Sequence, residues 1–282
     1  MKDKKTLIIG LGYIGLPLYL MLLSKNYKVT GFDTDKKKIN LLKKKNFLFE
    51  ESSLNKLYKK LSKNKKINIT NKFIKSDIYI ICVPTPLKKN NKFEDKYLKE
   101  CFKNIIPVLK KGDLIIIEST CKPNTTNNFY LRIKKDRKDL FENESSISLA
   151  YCPETIIPGN TLYEMQNNYK LIGGINEKSS LEVSKIYKSF NKKIILTSAL
   201  LAELSKLSQN AFRDVNIALA NEIFNISNKY NVYSSELIKL SNLHPRVNIL
   251  QPSIGVGGHC IPVDPWFIIE NYNQTNLIKT SR

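Results

Sequence analysis

The sequence is poor in the residues that build metal centres and disulfide scaffolds. It has two histidines, His244 and His259, and its five cysteines include no Cys-x-x-Cys pair. An odd number of cysteines argues against a disulfide framework, and so few histidines argue against a zinc site. We therefore expect no bound metal, and a protein of a reducing compartment, the cytoplasm.

Long hydrophobic runs are also missing. Spanning a bilayer takes roughly 20 consecutive apolar residues. The run 7–23 follows a basic start, as in a signal peptide, but it contains three glycines and a proline, and no small-residue cleavage site follows it. We expect a strand, a turn and a helix here, and no membrane partner.

Acidic residues are scarce, with 25 Asp and Glu against 46 Lys and Arg, which gives a net charge of +21. Such an excess is typical of proteins that bind nucleic acid or anionic surfaces. Here the lysines are spread over nearly every segment, together with many Asn and Ile, as in 36–47 and 60–72. This spread indicates a compositional bias rather than a binding stripe, so we expect no specific nucleic-acid partner, although the positive field would attract an anionic substrate.

The first half of the chain alternates short apolar runs with amphipathic segments, which is typical of βαβ units. The pattern predicts an α/β fold with a doubly wound parallel sheet, a Rossmann domain, over residues 1–198. Strands are predicted at 5–9, 28–32, 78–83, 114–118, 148–151 and 193–197, and helices at 16–24, 35–45, 96–109, 124–135 and 177–190.

From residue 199 to 229 the pattern changes to one helical periodicity without Pro or Gly. A helix of this length is about 45 Å long, more than a small domain needs. Such a helix usually buries one face against a second domain or subunit. We predict an all-α central domain over 199–282, built on this helix with a further helix at 234–243, and a homodimer formed through 199–229.

A glycine pattern near the N-terminus points to a dinucleotide. Gly10, Gly12 and Gly15 form Gly-x-Gly-x-x-Gly between a predicted strand and a predicted helix, and Asp33 ends the next strand. The glycines let a pyrophosphate approach the helix N-terminus, and the acid binds the ribose hydroxyls. Because a carboxylate would repel a 2′-phosphate, the sequence predicts NAD as the cofactor rather than NADP.

A second glycine-rich segment, GVGGHCIPVD at 255–264, surrounds a cysteine. Glycines at this density serve either tight turns or close approach of a ligand to the backbone. From this segment alone two readings are balanced. Either Cys260 faces a bound molecule, or the glycines form a surface turn that precedes a small buried thiol.

Other short motifs accompany these two segments: VPTP at 83–86, EST at 118–120 and CPETIIPG at 152–159. Lys206, Asn210 and Arg213 follow at i, i+4 and i+7 and share one helix face, which alone would be read as a solvated face. With HPRVNILQPSIGVGGHCIPVDPWF at 244–267, these motifs make the whole chain, from residue 5 to 282, similar to the UDP-glucose/GDP-mannose dehydrogenase family of nucleotide-sugar 6-dehydrogenases. Within it the chain most resembles the branch that oxidises UDP-N-acetylhexosamines.

The resemblance implies oxidation of a sugar C6 alcohol to a carboxylate with two NAD, for the synthesis of surface polysaccharide precursors. Cys260 would attack the aldehyde to give a thiohemiacetal, whose oxidation leaves a thioester for water to hydrolyse. Lys206 would transfer a proton and, with Asn210, stabilise the oxyanion. Asp264 would tune Lys206 or Cys260, and Glu154 would handle the hydrolytic water. UDP-N-acetyl-D-mannosamine is the substrate implied, and UDP-N-acetylglucosamine, which differs in configuration at C2, stays open.

The family pattern also matches binding positions. Cofactor contact is implied for Tyr13, Ile14, Asp33, Lys38, Thr85 and Thr120, beside the glycines of the turn. Contact with the UDP-sugar is implied for Thr155, Ile156, Lys206, Asn210, Arg213, His244, Arg246 and Gly257. Arginine suits a diphosphate because its guanidinium binds two oxygens at once. His259 is not expected to be catalytic, and the other four cysteines are expected to be packing thiols.

The chain departs from the family pattern in three places. Thr155 stands where the N-acetylhexosamine branch usually has arginine, and Ser253-Ile254 replaces a usual Gly-Pro. Family members normally continue well over a hundred residues into a second Rossmann-like domain that binds UDP and closes over the NAD. We therefore expect this chain to lack that domain, as a cloned fragment, a split gene or a frameshifted gene would.

Three alternatives to an active enzyme of this family remain. The chain could be a non-catalytic remnant that binds NAD and dimerises. It could be a two-electron dehydrogenase of the β-hydroxyacid or 6-phosphogluconate type, which would have no use for Cys260. A basic nucleic-acid binder is the last, and its binding would be weak, steeply salt-dependent and without sequence preference.

Overall fold

The chain divides into two units of different architecture. The computed structural model describes residues 1–44, 51–64, 67–142, 147–258, 260–270, 272 and 274–282. The first unit, the sheet unit, comprises Met1–Thr85 and Asp95–Glu203, and the second, the helical unit, comprises Pro86–Glu94 and Leu204–Arg282. A domain boundary between residues 198 and 199 stays a prediction.

The sheet unit is built on eight strands in the order β3-β2-β1-β4-β5-β6-β7-β8. Every neighbouring pair is parallel except β6 and β7, which are antiparallel. Two strands, β3 and β7, were not predicted. The strands are β1 Thr6–Ile9, β2 Val29–Phe32, β3 Ile69–Thr70, β4 Ile78–Ile81, β5 Leu114–Ile117, β6 Ser148–Tyr151, β7 Lys170–Gly174 and β8 Ile194–Ser198.

Helices connect the strands of this sheet. They are α1 Gly15–Ser24, α2 Lys36–Lys43, α3 Ser52–Asn64, α4 Lys96–Ile105, α5 Thr125–Asp136, α6 Thr161–Asn167 and α7 Glu177–Tyr187, with short 3₁₀ turns at Ile106–Val108 and Lys138–Leu140. Two of them, α3 and α6, were not predicted. The 3₁₀ turn after α4 contains Pro107, which explains why the predicted helix 96–109 stops early.

The centre of the sheet is buried on both faces, which is why its strands read as continuous apolar runs rather than alternating ones. All residues of β1, β4 and β5 are buried. The predicted fold class is therefore confirmed, with one antiparallel strand added. Of the cysteines expected to be packing thiols, Cys101, Cys121 and Cys152 are buried and Cys82 is half-buried.

The helical unit is organised by one helix, α8 Ala199–Lys229, whose first turn belongs to the sheet unit. It also contains α9 Ser234–Ser241, α10 Asp264–Ile269 and α11 Asn276–Thr280. The segment 86–94 folds onto α10: the Phe93 ring packs edge-on against Phe267 with ring centroids 4.7 Å apart, and the Phe93 N–H donates to a Glu270 carboxylate oxygen at 2.8 Å. Within the described ranges, no helix has both the length and the hydropathy needed to cross a bilayer.

Candidate active site

The N-terminal glycine turn, residues 10–15, joins β1 to α1 and combines crowded with open positions. Gly10 has φ of +91°, and a Cβ there would lie 2.5 Å from the carbonyl oxygen of Cys82. A Cβ on Gly15 would lie 1.9 Å from the carbonyl oxygen of Gly10. A Cβ on Gly12 would have nothing within 4 Å. The turn therefore packs tightly against its own backbone and leaves open space near the amino end of α1, where a phosphate is stabilised by the helix dipole and backbone N–H groups.

Asp33, which directly follows β2, is held by three donors. One carboxylate oxygen accepts the N–H of Leu11 and the ammonium of Lys38, both at 2.8 Å, and the other accepts the N–H of Asp35 at 2.9 Å. Burial acts to raise the pKa of Asp33, but the hydrogen bonds and the charge of Lys38 outweigh it and hold the pKa below its usual value. The sequence thus places a fixed negative charge beside the glycine turn, as a ribose-binding acid requires.

The remaining positions predicted to contact the cofactor lie in the sheet unit as well. Ile14, Thr85 and Thr120 are half-buried and Tyr13 is exposed. Thr85 and Thr120 follow β4 and β5, which lie on the side of β1 away from β2 and run parallel to it, so they share the carboxyl edge of the sheet with the glycine turn. The open space at Gly12 and the ionised carboxylate of Asp33 fit a dinucleotide whose ribose carries no 2′-phosphate. Direct contact by each of these residues stays a prediction.

Glu154 lies in a buried ion network at the same edge of the sheet. The ammonium of Lys170, the first residue of β7, donates to Glu154 at 3.0 Å and to Glu118 at 2.8 Å. It also reaches the carbonyl oxygens of Cys152 at 3.0 Å and Pro153 at 3.1 Å. The side chains of Lys170 and Glu118 are 7% and 1% exposed. Burial alone would lower the pKa of Lys170, but the two carboxylates outweigh it and raise the pKa, so the lysine is a cation.

Sequence reasoning missed Lys170. The phenol of Tyr187 on α7, which donates to the other oxygen of Glu118, was missed as well. Neither residue belongs to a motif. One signal was available for the lysine, because it stands directly before an apolar run, LIGG, that reads as a buried strand. A lysine at the entrance of such a strand needs a buried partner.

On α8, Lys206 and Asn210 share a buried face as their spacing predicts, 9% and 6% exposed. The Asn210 amide donates to the carboxylate of Asp264 at 2.5 Å. Asp264 is the first residue of α10, and its backbone N–H donates to the carbonyl oxygen of Cys260 at 2.9 Å. The helix face and the segment after the glycines are therefore joined through one carboxylate.

Three charged groups of the helical unit act on the Cys260 thiol. Cys260 is an exposed residue, yet partial desolvation of its thiol and the nearby carboxylate of Asp264 raise the thiol pKa, whereas the cations of Lys206 and Arg213 oppose the rise. Burial raises the pKa of Asp264 to about 6, against the hydrogen bond from Asn210 and the charge of Lys206. The cations that a reactive thiol needs are present, but in this arrangement the carboxylate and desolvation outweigh them.

Residues 255–260 are named the cysteine loop. Asparagines on α8 bind the backbone that leads into this loop. Asn216 on α8 donates to the carbonyl oxygen of Asn248 at 2.9 Å and accepts the N–H of Leu250 at 2.8 Å. Asn221, also on α8, accepts the N–H of Ser253 at 2.8 Å. Ser253 stands where the family usually has glycine. The α8 helix therefore carries both the polar face and the anchors of the cysteine loop.

The other predicted substrate positions are divided between the two units. His244 and Arg246 are exposed and contact each other, with the guanidinium 3.4 Å from the imidazole. Gly257 is exposed. In the sheet unit, the N–H of Thr155 donates to Glu154 at 2.8 Å, and Ile156 packs partly buried against the hydrophobic core. His259 lies outside the described residues.

Among the residues that the structure describes, no cluster of three or more His, Cys, Asp or Glu side chains could hold a metal ion. The site contains a thiol, lysines, an amide and carboxylates. These are the groups used in acyl and carbonyl chemistry.

Comparison with known proteins agrees with this arrangement. Residues 4–191 match the NAD binding domain of the UDP-glucose/GDP-mannose dehydrogenase family, and residues 201–281 match the central domain of the same family. Together the two matches cover most of the chain.

Relatives with a name include a UDP-N-acetyl-D-mannosamine dehydrogenase of Methanococcus vannielii, 43% identical over 100% of this chain and 65% of the relative. One of Campylobacter jejuni is 41% identical over 99% of this chain and 70% of the relative. The solved UDP-D-ManNAc dehydrogenase of Pyrococcus horikoshii superimposes with a TM-score of 0.92 and 36% identity, over 98% of this chain and 67% of that one. The chain spans about 65% of the length of the curated relatives that it matches first. With its NAD-binding and central domains both matched, the chain belongs to the UDP-glucose/GDP-mannose dehydrogenase family.

Proposed function

We propose that the chain provides the NAD-binding and catalytic portions of a cytoplasmic nucleotide-sugar 6-dehydrogenase that oxidises UDP-N-acetyl-D-mannosamine to the uronic acid. The observation that carries this proposal is the cluster of Cys260, Lys206, Asn210 and Asp264 on α8 and the segment 260–264. A two-electron alcohol dehydrogenase has no use for a thiol there. The substrate is taken from the names of the relatives, whose identity to this chain extends over its whole length.

Two oxidations at one carbon explain the need for a thiol. NAD, when bound, accepts a hydride in each of them. After the first, the Cys260 sulfur adds to the aldehyde carbon and its C=O becomes a thiohemiacetal. The second leaves a thioester, whose C–S bond breaks when water attacks. The sulfur then leaves as a thiolate and the sugar as its acid, so the cysteine is regenerated.

Lys206 and Asn210 serve the oxygen on C6. Their donors lie one helical turn apart on a buried face, where a hydrogen bond to a developing oxyanion is stronger than in water. Lys206, in its unprotonated form, also takes the proton of the alcohol and returns it to the thiohemiacetal oxygen, and it takes that proton again in the second oxidation. Asp264, fixed by Asn210 at 2.5 Å, balances the lysine charge and keeps the amide oriented.

Glu154 accepts the proton of the water that opens the thioester. A carboxylate suits this step because it can hold that proton and then release it to solvent. Its fixed position next to a cation in the sheet unit supports this role.

The proposed enzyme is a homodimer through α8. Large apolar side chains on this helix are exposed in the single chain, and burying them against a second copy would favour self-association. They are Leu200, Leu201, Phe212, Leu219, Phe224 and Ile226. Sedimentation velocity would measure the assembly directly.

The proposal is tested by NADH absorbance after mixing the 282-residue chain with NAD and UDP-N-acetyl-D-mannosamine. We expect two NADH for each sugar acid, and none of the acid from Cys260→Ser. Cys101→Ser, which alters a buried thiol on α4, is the matched control and should keep the yield.

Other outcomes would select the alternatives. One NADH per product, insensitive to Cys260→Ser, would indicate a two-electron dehydrogenase. No NADH from a folded chain that binds NAD by calorimetry would indicate a non-catalytic remnant. A higher rate with UDP-N-acetylglucosamine would reassign the sugar and keep the reaction.

A further inference from the structure

The ammonium of Lys170 is surrounded by oxygen. Four oxygens lie within 3.1 Å of it, two from carboxylates and two from backbone carbonyls. An ammonium has three donors, so every N–H is engaged and one is shared. A lysine in this state cannot serve as a base or contact solvent freely. Its effect must be exerted through the groups that it binds.

The reversed direction of β7 explains how a lysine reaches this place. In the antiparallel register Ala150 faces Gly174 and Tyr151 faces Gly173, so moving back along β7 passes the carboxyl end of β6. The first residue of β7 therefore arrives beside residues 152–154. In a parallel pair the first residue of β7 would lie at the opposite edge of the sheet.

Both oxygens of Glu154 are fixed by this arrangement. One accepts the ammonium of Lys170 at 3.0 Å and the other accepts the N–H of Thr155 at 2.8 Å. The lysine also binds the carbonyl oxygens of the two residues before Glu154, which fixes the backbone that carries the carboxylate.

We propose that Lys170 is a positioning residue, which holds the Glu154 carboxylate in place and keeps it ready to accept the proton of the hydrolytic water. This inference rests on the function proposed above. Without the ammonium, the carboxylates of Glu118 and Glu154 would face each other in a buried space. Two neighbouring carboxylates repel each other, so one of them keeps its proton up to a higher pH.

The other titratable groups around the pair stay uncharged near neutral pH. They are the thiols of Cys82 after β4 and Cys152 after β6, and the phenol of Tyr187 on α7. Burial raises the pKa of all three, and the charge of Glu118 raises each further. The charges next to Glu154 are therefore the ammonium of Lys170 and the carboxylate of Glu118.

The test follows the side-chain carboxyl of Glu154 by NMR in chains made with glutamate labelled with carbon-13 at that carboxyl. Loss of one resonance in Glu154→Gln assigns it. We expect Lys170→Met to move the titration midpoint of this resonance up by about one pH unit or more, the usual effect of a close opposite charge. Lys170→Arg keeps the cation and should move it much less.

The proposal is overturned if the midpoint in Lys170→Met equals that of the unaltered chain, or if Lys170→Arg shifts it as far as Lys170→Met does. Should Lys170→Met not fold, Lys170→Gln removes the charge, keeps a hydrogen-bond donor and must also shift the midpoint upward. NADH formation by the same chains is a separate readout. Its absence from the unaltered chain counts against the proposed enzyme, whereas the NMR comparison decides the role of Lys170.

Discussion

The two units each have a glycine-rich segment beside a buried carboxylate, and the glycines are needed for different reasons. In the N-terminal glycine turn a Cβ would meet backbone at 1.9 Å and 2.5 Å. In the cysteine loop a Cβ on Gly255, Gly257 or Gly258 would meet nothing within 4 Å, but Gly255 and Gly258 have φ of +139° and +81°. Packing requires Gly10 and Gly15 of the turn, whereas backbone conformation requires Gly255 and Gly258 of the cysteine loop.

The carboxylates beside these segments differ as well. Asp33 receives three hydrogen bonds, and its pKa is lowered. Burial of Asp264 outweighs its hydrogen bond from Asn210 and the charge of Lys206, and raises its pKa to about 6. The sheet unit thus holds a carboxylate that is stable as an anion. The helical unit holds one that takes up a proton just below neutral pH, as suits a group beside a reacting thiol and lysine.

The largest expected effect is in the glycine turn. Gly15→Ala would force the backbone apart, because its Cβ would lie 1.9 Å from the oxygen of Gly10. We expect a loss of at least about 3 kcal/mol in the free energy of unfolding, at the upper end of overpacking effects, measured by urea denaturation. Gly12→Ala is the matched control and should change stability by less than about 1 kcal/mol while weakening NAD binding. Equal stability of the two variants would show that the turn has no crowded side.

A smaller effect distinguishes the two carboxylates by pH. Asp264 binds a proton in the folded state up to pH about 6, against about 4 when unfolded, so its contribution to stability falls as the pH rises between these values. Relative to the parent chain, Asp264→Asn should gain up to about 3 kcal/mol between pH 4 and pH 8.

The contribution of Asp33 to stability depends on pH in the opposite direction. Its contribution is present above pH about 4 and is lost as the pH falls through its lowered pKa. Asp33→Asn should therefore lose stability relative to the parent as the pH rises through this range. Parallel profiles for the two variants, measured by urea denaturation at each pH, would remove the contrast between the units.

The smallest effect concerns the cysteine loop. Alanine at φ of +81° is strained in any surroundings, so Gly258→Ala should cost about 1–2 kcal/mol in the free energy of unfolding. Gly257→Ala meets neither an atom nor a positive φ and should stay within about 0.5 kcal/mol of the parent. If both variants lose the same stability, packing by a group around the loop limits it instead.

Prediction from sequence worked where one pattern ran without interruption. The helix 199–229 and the strand 148–151 were predicted with the bounds that the structure has. The glycine turn, Asp33 and the pair Cys260 and Asp264 could be proposed as site residues because their spacing is local, and their roles stay predictions. In the region 161–174, α6 and β7 were not predicted because α6 is short and β7 ends in two glycines, which weaken a strand signal.

Lys170 could not be predicted because its partners come from the order of the strands. Glu118 lies 52 residues before it and Glu154 lies 16 before it. Their meeting requires β5, β6 and β7 to be neighbours and β7 to run backward. The apolar pattern of a segment does not show whether its strand runs parallel or antiparallel to its neighbour.

The same ion network gives the sequence a direction of evolutionary change. Replacing Lys170 first leaves two buried carboxylates without their cation, whereas replacing Glu118 first leaves the lysine paired with Glu154. Substitutions at such coupled positions are not additive, so their order decides which intermediates survive. A lineage can drift through Glu118 and only afterwards through Lys170. The network therefore restricts the order in which these two residues can be replaced.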